Sequence, residues 1–164
     1  MQPPRDTERT VRQSVLDRLL DDDDAGTGGT PWSRSAERLK TALMRDLEWL
    51  LNTRQTIEPA GASHPEVQRS VYQFGLPDLT SLGAGSDTVR RRLLRQVEET
   101  IQVFEPRLSR VRVTAAEDAP GGGRELRFTV EGLLQMDPEP ERVAFDTVLE
   151  TGSGTFRLKG GADA

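Results

Sequence analysis

One proline divides this chain into two kinds of secondary structure. Before Pro106, apolar residues recur three and four positions apart: Val89, Leu93, Leu94, Val97, Ile101 and Phe104. That is the period of a helix with one buried face. After it, Leu108, Arg110 and Arg112 alternate with Ser109, Val111, Val113 and Ala115, the two-residue period of a half-buried strand. A proline has no N–H to give the helical ladder, and it pushes the preceding residue out of the helical region. The sequence therefore predicts a helix that begins near Ser86 or Asp87, stops at Glu105-Pro106-Arg107, and turns directly into a strand.

The alternation continues. Leu126, Phe128, Val130, Gly132, Leu134 and Met136 alternate with Arg127, Thr129, Glu131, Leu133 and Gln135. A third strand is expected over 143–150, with Phe145 and Leu149 on one face, and a last one over 155–158. Ala119 to Gly123, Asp137-Pro138-Glu139-Pro140 and Gly152-Ser153-Gly154 supply turn chemistry between them. Upstream, Leu39, Ala42, Leu43, Leu47, Leu50 and Leu51 form a helical stripe over 35–52, with Trp49 placed at the edge of the core. A short helix over 65–74 would carry Pro65 at its first position. The fold expected is α+β: two long amphipathic helices packed on an antiparallel β-meander of three to four strands.

The ends read differently. Residues 1–30 form a flexible N-terminal segment, in which Val15, Leu16, Leu19 and Leu20 space a short docking helix over 14–20 before the acidic run Asp21 to Asp24. Residues 31–159 make the α+β domain, and 160–164 a mobile tail. Only 34% of the 164 residues are hydrophobic and 30% are charged, a lean balance suited to burying surface against partners. A formal net charge of −5 argues against nucleic acid as the main ligand, and Arg90, Arg91, Arg92 and Arg95 read as a solvated helix face. Cysteine is absent, so disulfide and thiol chemistry are excluded. No apolar run approaches the roughly 20 residues of a membrane span, and residues 1–12 hold no signal-type core, so a soluble cytoplasmic protein is expected.

Catalytic patterns are sparse. His64, beside Pro65, has no ligand set around it and reads as a turn residue. Gly121-Gly122-Gly123 lacks the ending of a phosphate loop and reads as a hairpin turn. The carboxylates Glu98, Glu99 and Glu105, with Asp137, Glu139, Glu141 and Asp146 around the second turn, could be paired for acid–base work only in the way any acidic chain allows. No metal and no cofactor are expected, and no enzymatic activity.

Several motifs occur in a fixed order: Leu16-Asp17-Arg18-Leu19, Asp46-Leu47-Glu48-Trp49-Leu50-Leu51-Asn52-Thr53-Arg54, Ser70-Val71-Tyr72-Gln73-Phe74-Gly75-Leu76-Pro77-Asp78-Leu79, Phe104-Glu105-Pro106-Arg107-Leu108 and Phe145-Asp146-Thr147-Val148-Leu149-Glu150. In these the chain resembles the baseplate wedge family, which comprises the TssE subunits of bacterial type VI secretion systems and their counterpart in T-even phage tails. The resemblance covers roughly residues 14–158. It implies a structural subunit bound to the wedge-core proteins (TssF, TssG, TssK) in the cytoplasmic baseplate, which docks on the inner-membrane complex. It also implies a sheet similar to the strand-exchange domain of the contractile sheath proteins (TssB, TssC), able to template their assembly.

Two sites follow. Glu105, Pro106 and Arg107 are either a solvated pair at a helix end or, as the resemblance suggests, a rigid corner offered to a wedge partner. In the latter case, substitution there would spare the isolated fold. Strand exchange would fall on the last two strands, at Val143, Phe145, Thr147, Leu149, Phe156 and Leu158, where an unpaired edge is a template for an added strand. The alternatives are a peptidoglycan-degrading lysozyme-like hydrolase, a label some family members carry, and a regulatory adaptor on the same fold.

Overall fold

The structure, a computed structural model, describes residues 32–58, 60–61, 63–78, 87–116, 125–136 and 139–160. The expected N-terminal docking helix, the acidic run, the triple-glycine turn and residues 161–164 of the tail lie outside these residues. The described elements are α1 (Trp32–Asn52), α2 (Pro65–Gln68), a 3-10 turn (Val71–Gln73), α3 (Asp87–Phe104), and strands β1 (Leu108–Ala115), β2 (Glu125–Leu134), β3 (Glu141–Glu150) and β4 (Thr155–Gly160).

α3 ends at Phe104, where Pro106 requires it to end. β1 begins two residues after that proline. The four strands lie in the order β1-β2-β3-β4, each antiparallel to the next, so the sheet is a meander of local hairpins. The molecule is α+β.

One register differs from simple alternation. Leu108 pairs with Leu134 and Ser109 with Leu133, but the next pair is Arg112 with Glu131, leaving Arg110 and Val111 opposite Gly132. This is a β-bulge, with Arg110 at a φ of 53°. It shifts the side-chain alternation by one, so Leu108 joins Val111 and Val113 in the core instead of lying with the arginines. A Cβ on Gly132 would stand 3.4 Å from the Ser109 carbonyl oxygen, so a glycine suits the close approach at the bulge.

The core lies on one sheet face. Val111, Val113, Phe128, Val130, Leu134, Val143, Phe145, Leu149, Phe156 and Leu158 point into it. α1 supplies Ala36, Leu39, Leu43, Leu47, Leu50 and Leu51, and α3 supplies Leu93, Val97 and Ile101. Phe128 and Phe156 meet edge to face at 6.1 Å between centroids. Trp49 is not part of this core. It is 56% exposed, with the Arg45 guanidinium 5.3 Å over its ring. Leu47, Leu50 and Leu51 take the buried face, and the helical period turns position 49 away from it.

The connection from α1 to α3 is anchored at Gly75-Leu76. The Leu76 N–H donates to the Thr53 carbonyl at 2.9 Å, and the Gln55 N–H donates to the Leu76 carbonyl at 2.9 Å. Gly75 has a φ of 105°, and a Cβ there would fall 2.4 Å from the Thr53 oxygen. Phe74 packs edge to face on Phe104 at 5.4 Å, tying this connection to the end of α3.

Candidate functional site: the corner and the sheet edges

Pro106 is exposed, but the two charges beside it face each other and the interior. Glu105 is only 5% exposed. Its Oε1 accepts from the Arg107 Nε at 2.7 Å and from the Arg107 backbone N–H at 3.1 Å. Its Oε2 accepts from the Arg107 Nη2 at 2.5 Å. The result is a fork-on-fork pair closed across a single proline. The same Nη2 donates to the Asp46 Oδ2 on α1 at 2.7 Å. Asp46 Oδ1 in turn accepts from Arg45 Nε at 3.0 Å and from Arg45 Nη2 at 2.9 Å. Hydrogen bonding to Glu105 raises the Arg107 pKa above its already high value, Asp46 adds to this, and burial opposes it. Backbone bonds complete the corner: Leu108 N–H to the Glu105 carbonyl at 3.1 Å, and Gln135 N–H to the Arg107 carbonyl at 2.8 Å. Arg107 thus holds together α1, the end of α3 and the start of the sheet.

The second expected site divides. Val143, Phe145, Thr147 and Leu149 lie on β3, which pairs with β2 along its whole length and with β4 from Phe145 to Glu150. Both edges of β3 are therefore taken at Phe145, Thr147 and Leu149, whereas at Val143 the strand is paired on the β2 side only among the described residues. Phe156 and Leu158 lie on β4, at the end of the strand order, and their side chains are buried.

Both outer edges carry side-chain partners that the sequence did not flag. Along β1, α3 supplies three. Glu98 Oε2 accepts from the Val113 N–H at 2.9 Å, Gln102 Nε2 donates to the Val111 carbonyl at 3.4 Å, and Arg90 Nη2 donates to the Ala116 carbonyl at 3.0 Å. Arg90 therefore leaves the solvated arginine face. Along β4, the last residue of α1 intervenes. Asn52 Oδ1 accepts from the Phe156 N–H at 2.9 Å, while its Nδ2 donates to the Phe156 carbonyl at 2.9 Å. The carboxamide pairs with Phe156 as a neighbouring strand residue would. Arg54 Nη2 donates to the Gly154 carbonyl at 2.7 Å and so pins the β3–β4 turn.

The remaining carboxylates are dispersed. Glu141 pairs with Lys40 at 2.8 Å, and the hydrogen bond to Glu141 is the main reason the Lys40 pKa rises above the usual lysine range. Asp146 accepts from the Thr129 hydroxyl at 3.2 Å. Glu99 and Glu139 are exposed, and Asp137 lies outside the described residues. His64 is exposed, and its carbonyl accepts from the Val67 and Gln68 N–H groups at 3.1 and 3.2 Å. Among the described residues, no group of three His, Cys, Asp or Glu could hold a metal ion, and no helix is long and apolar enough to cross a membrane.

The fold is an α+β meander with a charged clamp at its corner and side chains hydrogen-bonded along its sheet edges. The chain belongs to the family described as "Baseplate wedge protein gp25", whose model matches residues 37–139. That span runs from α1 past the corner to the β2–β3 turn. A solved structure titled "The baseplate complex from the type VI secretion system" contains a chain similar to this one. Their identity is 20%, the alignment covers 70% of this chain and 97% of the other, and the TM-score is 0.47. No curated protein gives a significant match.

Proposed function

We propose that this chain is a non-enzymatic structural subunit of a type VI secretion baseplate, the counterpart of the TssE subunits. In this reading it binds the wedge core (TssF, TssG, TssK) and templates the first turn of the contractile sheath (TssB, TssC), at a cytoplasmic baseplate docked on the inner-membrane complex. The observation that carries it is the family match over residues 37–139. The ordered motifs add the secretion-system branch, and the structure gives several of their residues work. Asp46, Asn52 and Arg54, all in one motif, reach respectively the corner, β4 and the β3–β4 turn.

The corner takes part differently from a pair of charges offered to a partner. Glu105 and Arg107 satisfy each other, so the group presented is the rigid bend itself, with Pro106 outermost and the clamp setting the angle between α3 and β1. The sheath contact falls on β4, whose outer edge is less occupied than that of β1. Two carboxylates weighed for acid–base chemistry, Glu98 and Glu105, are engaged by a backbone N–H and by a guanidinium, which supports a structural reading.

Co-purification from cells expressing the full machine tests this. Recovery of wedge-core and sheath proteins with the chain is expected. Glycan cleavage by the purified chain, lost on replacing one carboxylate, would overturn it.

A further inference from the structure

We infer that Asn52 is a strand stop, which restricts strand addition along β4 to its last residues, with Leu158 and Gly160 as the receiving positions. This rests on the reading that β4 receives a partner strand.

In an antiparallel pair, the backbone groups of successive residues point alternately toward and away from the neighbour. The Phe156 N–H and carbonyl turn away from β3, because Asn52 binds both. Leu158 and Gly160, two and four residues on, turn the same way. No hydrogen bond from the described residues reaches the outward groups of these two. Among the described residues, the edge is thus closed at Phe156 and open at Leu158 and Gly160.

Asn52 cannot retreat to let a longer strand pass, because α1 is fixed on both sides of it. Its own Nδ2 also donates to the Glu48 carbonyl at 2.9 Å. Thr53 is held by the Leu76 N–H at 2.9 Å, and Arg54 by the Gly154 carbonyl at 2.7 Å. A strand carried past Leu158 toward Phe156 would run into the end of the helix.

The side chains along this edge leave recognition of the occupant to the backbone. Phe156 and Leu158 point into the core, while Arg157 and Lys159 stand exposed on the opposite face. Arg157 pairs with Glu150 at 3.0 Å, and Lys159 stands directly across from Asp146 on β3. Opposite charges directly across a strand pair stabilise it, and like charges destabilise it. Both cations of β4 therefore already have carboxylates of β3 beside or across from them, and the occupant is an extended segment of a sheath subunit held through its backbone groups.

The test is hydrogen exchange on the intact chain, free and bound to purified sheath subunits, quenched and read residue by residue by NMR. In the free chain, the Phe156 amide exchanges slowly and the Leu158 and Gly160 amides quickly. Asn52→Asp, which keeps the acceptor for the Phe156 N–H, leaves that amide slow. Asn52→Leu speeds it about tenfold, the equivalent of one lost hydrogen bond. In the complex, Leu158 and Gly160 become protected and Phe156 is unchanged. Protection that begins at Phe156 or earlier in β4, with Asn52 displaced, overturns the stop and leaves strand addition standing. A complex in which Leu158 and Gly160 stay unprotected overturns strand addition itself.

Discussion

Asp46 and Arg107 stand 61 positions apart in sequence and meet through one hydrogen bond of 2.7 Å, which joins the middle of α1 to the bend between α3 and the sheet. With the Glu105 pair on its other side, Arg107 becomes the common partner of two carboxylates. The corner is an internal clamp rather than a solvated pair.

Breaking that clamp should unsettle the isolated fold. Removing one partner of a buried ion pair leaves an uncompensated charge and costs about 3–5 kcal/mol, whereas replacing both with apolar groups of similar size is often close to neutral. Arg107→Ala is predicted to lower stability by about 3 kcal/mol in urea unfolding, because Glu105 stays buried without its fork. The double change Glu105→Met with Arg107→Met should recover most of that loss. An Arg107→Ala protein as stable as the parent would show that Glu105 reaches water easily. The sequence suggested instead that substitutions at this corner would spare the fold, which holds only for charges in solvent.

The Asp46 contact is about a quarter exposed to solvent and should be smaller. A double-mutant cycle of Asp46→Ala and Arg107→Ala is predicted to give a coupling of about 1 kcal/mol. Strict additivity would mean that α1 and the corner are held together by packing alone.

Much of the fold was legible in the sequence because its periods are clean. The α3 stripe, the stop before Pro106 and the β2 to β4 alternation all appear where the residues place them. β1 was misread at Leu108, since a bulge at Arg110 inserts a residue that alternation cannot reveal. Trp49 was misplaced because an aromatic side chain stacked under Arg45 can remain in solvent. The site was less legible. The inward turn of Glu105 depends on Arg107 and Asp46 arriving from separate elements, and the role of Asn52 depends on β4, 104 positions away. A single clue was present: Asn at the end of a helical pattern, a polar side chain with both a donor and an acceptor. It could say nothing about what the amide would meet.

Gly75→Ala should be among the costlier small substitutions. The added carbon would sit 2.4 Å from the Thr53 oxygen, at a φ of 105° that L residues rarely adopt. A loss of about 2 kcal/mol or more is predicted. Gly152→Ala, with nothing within 4 Å, serves as the control and should change little. Equal effects at the two positions would contradict the close approach at Gly75.

The Lys40–Glu141 pair predicts a pH dependence. The Lys40 pKa is raised in the folded chain, so its stabilisation is fully present below the ordinary lysine value of about 10.4 and fades as pH rises from there through the raised folded value. Lys40→Met should therefore cost a constant 0.5–1 kcal/mol, roughly, between neutral pH and about pH 9. That cost should shrink in more alkaline solution, as read by urea unfolding at each pH. A difference that grows with alkalinity would have the wrong sign.

The central claim, a wedge subunit whose β4 edge receives a sheath strand, is tested most directly at Leu158. A proline on an edge strand is tolerated when its missing N–H faced outward, and it leaves nothing to donate to an added strand. Sheath assembly should be measured in cells carrying Leu158→Pro, beside recovery of the wedge core on the same chain. The account predicts that the core is recovered as before while sheaths fail to extend. Normal sheaths with Leu158→Pro in a chain that folds and binds the core would contradict it.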